Sequence, residues 1–167
     1  MKSTANVLND AKIASLKINE LTSARKNAAL KFMAESLIES AGEILKANKI
    51  DVERSRGVLT DVMIDRLSLS EERTRGMADG ITALISLKDP VGEVIEHTTA
   101  ENGLDIKKVR VPLGVVAIIY ESRPNVTSDA AALCLKSGNV SVLRGGKEAF
   151  NSSYEIVKLS LIHISEP

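Results

Sequence analysis

The sequence predicts an α/β protein in which helices come first and a β-hairpin and one strand–helix–strand unit follow. Three observations support this fold class. Apolar residues recur every three or four positions in the first half, β-branched segments flank an Asn-Gly pair at residues 102 and 103, and the apolar run GVVAIIY fills residues 114–120. These patterns are typical of amphipathic helices, of a hairpin and of a buried parallel strand, respectively.

The first half is predicted to be helical. We expect a short helix near residues 4–18 and one long helix over residues 23–48, with Ser23 as its N-cap. The apolar stripe of the long helix consists of Leu30, Met33, Leu37, Ala41 and Ile44. A third helix begins after Ser70 and ends near residues 88–90, because proline disfavours helical geometry in the residue before it.

The second half changes its hydrophobic period. Residues 91–99 and 104–111 are predicted to form an exposed hairpin in which Asn102 and Gly103 supply the positive φ angles of a tight turn. The run 114–120 is predicted to be a strand covered on both faces, residues 128–137 a helix stopped by Gly138, and residues 140–143 a second strand. Their total length suits one βαβ unit.

Composition and charge limit the kinds of partner. The chain has 167 residues with 22 basic and 22 acidic side chains and only 2% aromatic residues, so the sequence predicts no nucleic-acid partner. No apolar run reaches the roughly 18 residues of a membrane span, and the amino terminus lacks the apolar core of a signal peptide. We therefore expect a cytoplasmic protein with no membrane partner.

Two loops are the candidate ligand-binding segments, because ligands of open parallel sheets bind beyond the carboxyl ends of the strands. Residues 121–125 (ESRPN) follow the first strand, and residues 144–147 (RGGK) follow the second. The first loop offers a carboxylate, a hydroxyl, a guanidinium and an amide, and the second combines close backbone approach with two cations for phosphate. The alternative is a pair of surface loops made of ordinary turn residues.

Other candidate sites are weaker. Ser141 and Glu148 stand where a P-loop ending at Lys147 would need glycine and a hydroxyl residue, and no G-x-G-x-x-G follows the first strand. One cysteine and two histidines exclude an internal disulfide framework and leave too few ligands for a zinc cluster, so we expect no metal. Cys134 is interpreted as a small buried hydrophobe, His97 as a solvated strand residue and Asp129 as a dipole or capping partner near a helix start.

A specific resemblance rests on three segments. Residues 111–153 (VPLGVVAIIYESRPNVTSDAAALCLKSGNVSVLRGGKEAFNSS), the stretch DRLSLSEERTRGMADGI and the stretch LKDPVGEVIEHTTAENGLDIKKVRV resemble the gamma-glutamyl phosphate reductase, or glutamate-5-semialdehyde dehydrogenase, family of the aldehyde dehydrogenase superfamily. The likeness covers roughly residues 5–158. It implies an aldehyde-dehydrogenase-like fold with a helical segment (1–90), an oligomerisation-type hairpin (91–111) and an incomplete Rossmann-like cofactor domain (112–158).

The resemblance also implies a reaction and a set of site residues. In that family NADPH reduces L-glutamyl 5-phosphate to L-glutamate 5-semialdehyde in proline biosynthesis, through a cysteine thioester. Asn125 matches the superfamily oxyanion donor, Arg123 could meet an anionic substrate group, and Arg144 replaces a lysine that holds the cofactor ribose in many relatives. The remaining residues implied on the cofactor side are Tyr120, Glu121, Ser122, Gly145, Gly146 and Lys147.

The sequence also departs from the family. The segment that carries the nucleophilic cysteine has no counterpart here, so we expect the chain alone to be inactive and expect homo-oligomerisation only of the full-length protein. Residues 159–167 (LSLIHISEP) resemble a translated sequencing adapter and are interpreted as a non-native tail, with a natural C-terminal strand as the alternative. Two other functions stay open: another aldehyde dehydrogenase activity, or a non-enzymatic helical and hairpin module that binds a partner through its long amphipathic helix.

Overall fold

The computed structural model describes residues 3–161 and shows the expected order of helices, hairpin and parallel strands. The helical part consists of α1 (Thr4–Ile18), α2 (Ser23–Glu39), α3 (Ala41–Ser55), α4 (Asp61–Leu67) and α5 (Glu71–Ser86). The second part consists of β1 (Val94–Thr99), β2 (Asp105–Val109), β3 (Val115–Ile119), α6 (Pro124–Lys136), β4 (Val140–Arg144), a 3₁₀ turn (Lys147–Ala149) and α7 (Phe150–Leu161). Within the described range, no helix is long and apolar enough to cross a membrane.

The expectation of one long helix over residues 23–48 is wrong, because the chain bends at Ser40. This residue (φ −96°, ψ 10°) ends α2 and begins α3. The N-cap of α2 is Thr22, whose Oγ1 accepts a hydrogen bond from the Arg25 amide at 3.3 Å, so the assignment to Ser23 is also wrong. The apolar period does not reveal the bend, because both helices turn their stripe toward the same core.

The core lies where α2 and α5 pack against α6 and α7. Leu30, Met33 and Leu37 of α2 and Ile44 of α3 are fully buried there. The other buried members of this cluster are Ala34, Met77, Ala78, Ile81, Ala131, Ala132, Leu135 and Ile156. The apolar stripe of α2 is buried in this core and cannot contact a partner. This argues against a non-enzymatic module that binds through that helix.

The hairpin has the predicted exposure but a different turn. Strands β1 and β2 pair antiparallel, and every residue in them is exposed. Gly103 (φ +82°) is left-handed, whereas no non-glycine residue in the described range has a positive φ, so the expectation for Asn102 is wrong. Instead, the amide of Gly103 donates to the Ala100 carbonyl, and the Asn102 side chain accepts from the Leu104 amide. Gly103 thus closes a three-residue loop.

Strands β3 and β4 form the predicted parallel pair, in register from Val115 with Val140 to Ile119 with Arg144. The crossover helix α6 begins at Pro124, earlier than expected, because proline suits the first helical position and Arg123 before it is extended (φ −128°, ψ 93°). Gly138 (φ +73°) ends it as predicted. Cover on both faces of β3 is not observed in the described range, since Ile119 is 80% exposed.

At the amino ends of β3 and β4, buried polar groups are paired with one another. Lys26 is 2% exposed, and its Nζ lies 2.6 Å from Asp89 Oδ2 and donates to the Lys136 carbonyl at 3.4 Å. Lys136 Nζ donates to Asn27 Oδ1 at 2.8 Å, and the Gly114 amide donates to Asn139 Oδ1 at 2.9 Å. We call Lys26, Asp89, Lys136 and Asn139 the amino-end cluster.

The Asp89 carboxyl shows the balance of forces in this cluster. Burial by itself would raise its pKa. The hydrogen bond and charge of Lys26, together with the Val91 amide, outweigh burial and leave the pKa below its usual value. The carboxylate therefore stays ionised opposite Lys26.

Candidate active site

The two candidate loops lie side by side at the carboxyl ends of the parallel strands. The Tyr120 amide donates to the Arg144 carbonyl at 3.1 Å, which extends the ladder by one residue before the loops diverge. A Cβ on Gly146 would lie 3.6 Å from the backbone at Glu121 and Ser122, so the second loop passes close to the first. The two loops are therefore adjacent.

The first loop delivers two of the predicted side chains to a cavity of about 670 Å³. Arg123 and Asn125 line this cavity together with Asp129, one helical turn after Asn125 on α6. Helix α5 and the segment before it form the rest of the wall, with Gly76, Met77, Gly80, Ile81 and Leu84 among the lining residues. We call this space the α5–α6 cavity.

Asp129 interacts with the predicted oxyanion donor. Asn125 Nδ2 donates to Asp129 Oδ2 at 3.2 Å. Burial raises the pKa of the Asp129 carboxyl, and the hydrogen bond from Asn125 offsets part of that effect. The interpretation of Asp129 as a dipole or capping partner is wrong, because α6 begins at Pro124 and Asp129 lies beyond the first turn, facing the cavity.

The second loop is shaped by close backbone approach. A Cβ on Gly145 would lie 3.2–3.3 Å from the Tyr120 ring, and one on Gly146 would lie 2.6 Å from Glu148 Oε2. Arg144 and Lys147 are exposed on either side of the glycines. Glycine at positions 145 and 146 therefore allows the backbone to pass close to the Tyr120 ring and the Glu148 carboxylate.

Tyr120 and Ser122 are held by neighbours. The Tyr120 hydroxyl lies 2.7 Å from Thr127 Oγ1, which donates to Ser153 Oγ at 3.2 Å, so one chain of hydroxyls connects β3, α6 and α7. Ser122 is buried, and its Oγ lies 3.5 Å from Glu148 Oε2. These two side chains fix the loops in place, whereas Glu121 is exposed.

A buried carboxylate on α3 anchors the segment after the second loop. Asp51 is 2% exposed, and its Oδ1 accepts from the Asn151 amide (3.2 Å) and side chain (2.7 Å). Its Oδ2 accepts from the Ser152 amide (2.7 Å) and hydroxyl (2.6 Å). A carboxylate at the start of α7 also complements the helix dipole. The position of residues 144–147 thus depends on a contact with a helix about 100 residues earlier in the chain.

The structure divides the predicted site residues into three groups. Arg123 and Asn125 share the α5–α6 cavity, whereas Lys147 lines a second cavity of about 450 Å³ beside Asp51 and Phe150. The remaining predicted residues, Tyr120, Glu121, Ser122, Arg144, Gly145 and Gly146, lie around the paired loops. The cavity-lining position of Asp129 was not predicted from the sequence, although its spacing of four from Asn125 places both residues on one face of a helix.

Two residues judged unsuited to catalysis have the expected surroundings. Cys134 is buried in α6, and burial raises the pKa of its thiol, which disfavours the thiolate. His97 is half-exposed on β1 and pairs with Asp105 across the hairpin. Neither residue lines the α5–α6 cavity.

Comparison with known proteins gives a consistent result. The chain is 53% identical over 157 residues to gamma-glutamyl phosphate reductase of Streptococcus gordonii, a match that covers 94% of this chain. The solved structure of gamma-glutamyl phosphate reductase from Thermotoga maritima superposes with a TM-score of 0.87 at 46% identity over 91% of this chain. The chain belongs to the gamma-glutamyl phosphate reductase family. No family model matches it.

The match covers most of this chain but only part of each gamma-glutamyl phosphate reductase. The chain spans 37% of the length of the Streptococcus relative and 37% of the Thermotoga chain. An acetylating aldehyde dehydrogenase from Geobacillus thermoglucosidasius shares the fold, with a TM-score of 0.68 at 15% identity. The expected aldehyde-dehydrogenase-like architecture is thereby confirmed for the described residues. Residues 159–167 were interpreted as a non-native tail, with a C-terminal strand as the alternative. Residues 159–161 continue α7 and form no strand, and residues 162–167 lie outside the described range.

Proposed function

We propose that this chain forms part of an NADPH-dependent reductase that converts L-glutamyl 5-phosphate to L-glutamate 5-semialdehyde and phosphate, in the cytoplasmic synthesis of proline. The observation that carries the proposal is the meeting of two loops at the carboxyl ends of β3 and β4, with Arg123 and Asn125 directed into one cavity. Family membership supports the choice of this reaction over that of another aldehyde dehydrogenase.

Asn125 is proposed to stabilise the oxyanion that develops at the reacting C5 carbonyl. Its carboxamide has two N–H groups, of which one donates to Asp129. The second N–H is free to donate to a substrate oxygen, and the bond to Asp129 fixes the plane of the amide. A donor that is oriented before the reaction contributes a large share of transition-state stabilisation.

Arg123 is proposed to bind an anionic group of the substrate. Its side chain lines the α5–α6 cavity, and within the described residues it forms no ion pair. Arg73, which lines the same cavity, is already engaged by Asp65 and by the Ser68 carbonyl at 2.8 Å. Arg123 is therefore the better placed of these two guanidinium groups to bind a ligand.

The residues around the second loop fit a phosphate-bearing nicotinamide cofactor. Gly145 and Gly146 let the backbone pack against the Tyr120 ring and Glu148, and the exposed cations Arg144 and Lys147 flank them, available to bind phosphate. When bound, NADPH supplies the hydride for the reduction. Arg144, Lys147 and Glu121 would contact the cofactor directly, whereas Tyr120 and Ser122 hold the loops that receive it.

The exposed hairpin is proposed to join a neighbouring subunit in the full-length protein. Val94, Ile95, Ile106 and Val109 are each 40–51% exposed on β1 and β2. Exposed apolar strands of this kind are suited to pairing with another chain. Sedimentation of the full-length protein with Ile106→Asp should show loss of oligomer, and an unchanged oligomer would contradict this role.

A chimaera tests the proposed activity. The matched 157 residues of this chain replace the equivalent segment of the Streptococcus gordonii relative, which is 53% identical, so the rest of the protein comes from the relative. We expect the chimaera to oxidise L-glutamate 5-semialdehyde with NADP⁺ and phosphate, the reverse reaction, followed as NADPH absorbance. The unmodified relative is the control. A folded chimaera that turns over other aldehydes but not this one would contradict the proposal.

A further inference from the structure

The α5–α6 cavity contains a carboxylate that has no counter-ion of its own. Asp129 is half-buried, lines the cavity and accepts a hydrogen bond from Asn125. No lysine, arginine or histidine in the described part of the chain forms an ion pair with it. In contrast, the partly buried carboxylate of Asp89 is paired with the buried Lys26, and the buried carboxylate of Asp51 accepts four hydrogen bonds.

Such a carboxylate is costly unless a ligand compensates it. Removing a carboxylate from water without a cationic partner is unfavourable, and burial raises the pKa of the Asp129 carboxyl more than the hydrogen bond from Asn125 lowers it. A bound cation would restore the ionised form. A carboxyl group that lines a cavity and has a raised pKa is a candidate binding group.

The same cavity contains a guanidinium without a protein partner. Arg123 lines it, and Asp65 and Arg73, which also line it, are paired with each other at 2.7 Å. Arg66 is the remaining charged lining residue, in the last turn of α4. The cavity thus presents one uncompensated carboxylate and at least one uncompensated guanidinium above an apolar wall that includes Met77, Ile81 and Leu84.

We infer that Asp129 and Arg123 form a subsite for a zwitterionic α-amino acid, in which the Asp129 carboxylate binds the α-ammonium and Arg123 binds the α-carboxylate. The inference rests on the proposed function and adds the residue that selects an amino acid over an acyl group without nitrogen. Asn125 and Asp129 are four residues apart on α6, where Cβ atoms are about 5–6 Å apart. Because the Asn125 carboxamide and the Asp129 carboxylate meet at 3.2 Å, a glutamyl group whose α-ammonium binds Asp129 would keep its C5 carbon, four bonds from the α-nitrogen, close to Asn125.

Titration of the 167-residue chain tests the subsite directly. L-Glutamate and glutarate, which lacks only the ammonium group, are added to the ¹⁵N-labelled chain, and the amides of Gly76, Gly80 and the Asn125 side chain are followed by NMR. We expect L-glutamate to bind about 10-fold or more tightly than glutarate, as one charge-assisted hydrogen bond requires. In Asp129→Asn the preference should disappear, whereas Asp79→Asn, an exposed carboxylate of α5 outside the cavity, should retain it.

Equal binding of the two ligands, absence of shifts with either one, or a preference that survives in Asp129→Asn would each overturn the inference. The chimaera adds a kinetic readout. There, Asp129→Asn should raise the KM for L-glutamate 5-semialdehyde about 10-fold and leave the KM for glutaric semialdehyde unchanged. An equal fall of kcat for both aldehydes would instead show that Asp129 only positions Asn125. An inactive but folded parent chimaera would contradict the proposed function, while the titration would still decide the subsite.

Discussion

The two ends of the parallel strand pair contain similar polar residues that have different surroundings. At the amino ends, Lys26 is paired with Asp89, and Asn139 accepts from the Gly114 amide. At the carboxyl ends, Arg123 and Asp129 line a cavity, and neither has an ion-pair partner in the described part of the chain. Charge alone therefore does not distinguish a structural group from a binding group, whereas the presence of a partner within the chain does.

This comparison separates two kinds of effect. Substitutions at the amino ends should lower the free energy of unfolding and leave kinetics in the chimaera unchanged. Substitutions at the carboxyl ends should change kinetics with little loss of stability.

Lys26→Met should have the largest effect, a loss of about 3 kcal/mol in the free energy of unfolding, because it leaves Asp89 unpaired and mostly buried. Urea denaturation of the chain at pH 7 measures it. The matched control is Lys49→Met, which removes an exposed ion pair with Glu53 and should change the free energy by less than about 0.5 kcal/mol. Similar small effects for both variants would contradict the assignment of Lys26 to the structural group.

The same pair predicts a pH dependence. The pKa of Asp89 is lower in the folded than in the unfolded chain, whose aspartates titrate near about 3.9, so the pair stabilises the fold above that pH. The stabilisation is lost as the pH falls through the folded pKa. Denaturation of wild type and Lys26→Met should therefore differ most above about pH 5 and converge at lower pH. A difference that grows on acidification would mean that the sign of the shift is wrong.

Two asparagines compare the ends directly. Asn125→Ala should lower kcat of the chimaera on the order of 10²-fold, as loss of an oxyanion donor does, and change the melting temperature little. Asn139→Ala should leave kcat unchanged and lower the free energy of unfolding by about 1–2 kcal/mol, since the Gly114 amide loses its acceptor. If the two variants exchanged their effects, the roles of the two ends would be reversed.

Two glycines give the smallest expected difference. Gly138→Ala should cost about 2 kcal/mol, because φ is +73° and the new Cβ would lie 2.9 Å from Pro112 Cγ. Gly146→Ala should cost less than about 1 kcal/mol, because its Cβ would meet the movable end of the Glu148 side chain, but it should raise the KM of the chimaera for NADPH. Thermal denaturation of both variants and one cofactor titration measure these effects. A stability loss at Gly146 as large as at Gly138 would contradict the comparison.

Local patterns predicted most of the fold. The hairpin, the parallel pair and the helix stop at Gly138 each depend on nearby residues, so turn chemistry and hydrophobic period located them, although the positive φ expected at Asn102 is absent. The bend at Ser40 was not predicted, because Leu37 of α2 and Ile44 of α3 face the same core and keep the apolar period continuous across the bend. The start of α6 was placed too late because Pro124 was interpreted as part of a loop, although proline is favoured at the first helical position.

The candidate site was less predictable, since it depends on contacts between distant residues. The loops themselves could be found from strand ends and glycines. The anchoring of α7 by Asp51 joins residues about 100 positions apart, and no local pattern indicates it. Likewise, the exposure of Asp129 to a cavity depends on the packing of α5 against α6. Positions of chemical groups were predictable, but their partners were not.

The single cysteine has a practical consequence. Cys134 lies within α6, the helix that carries Asn125 and Asp129 at one end and contacts the amino-end cluster at the other. Because its thiol is buried and its pKa is raised, a disulfide reagent should react slowly, and faster when α6 opens. The rate of thiol labelling therefore reports the opening of this helix, with no need for an engineered label. Slower labelling in the presence of L-glutamate would report ligand binding through the same atom.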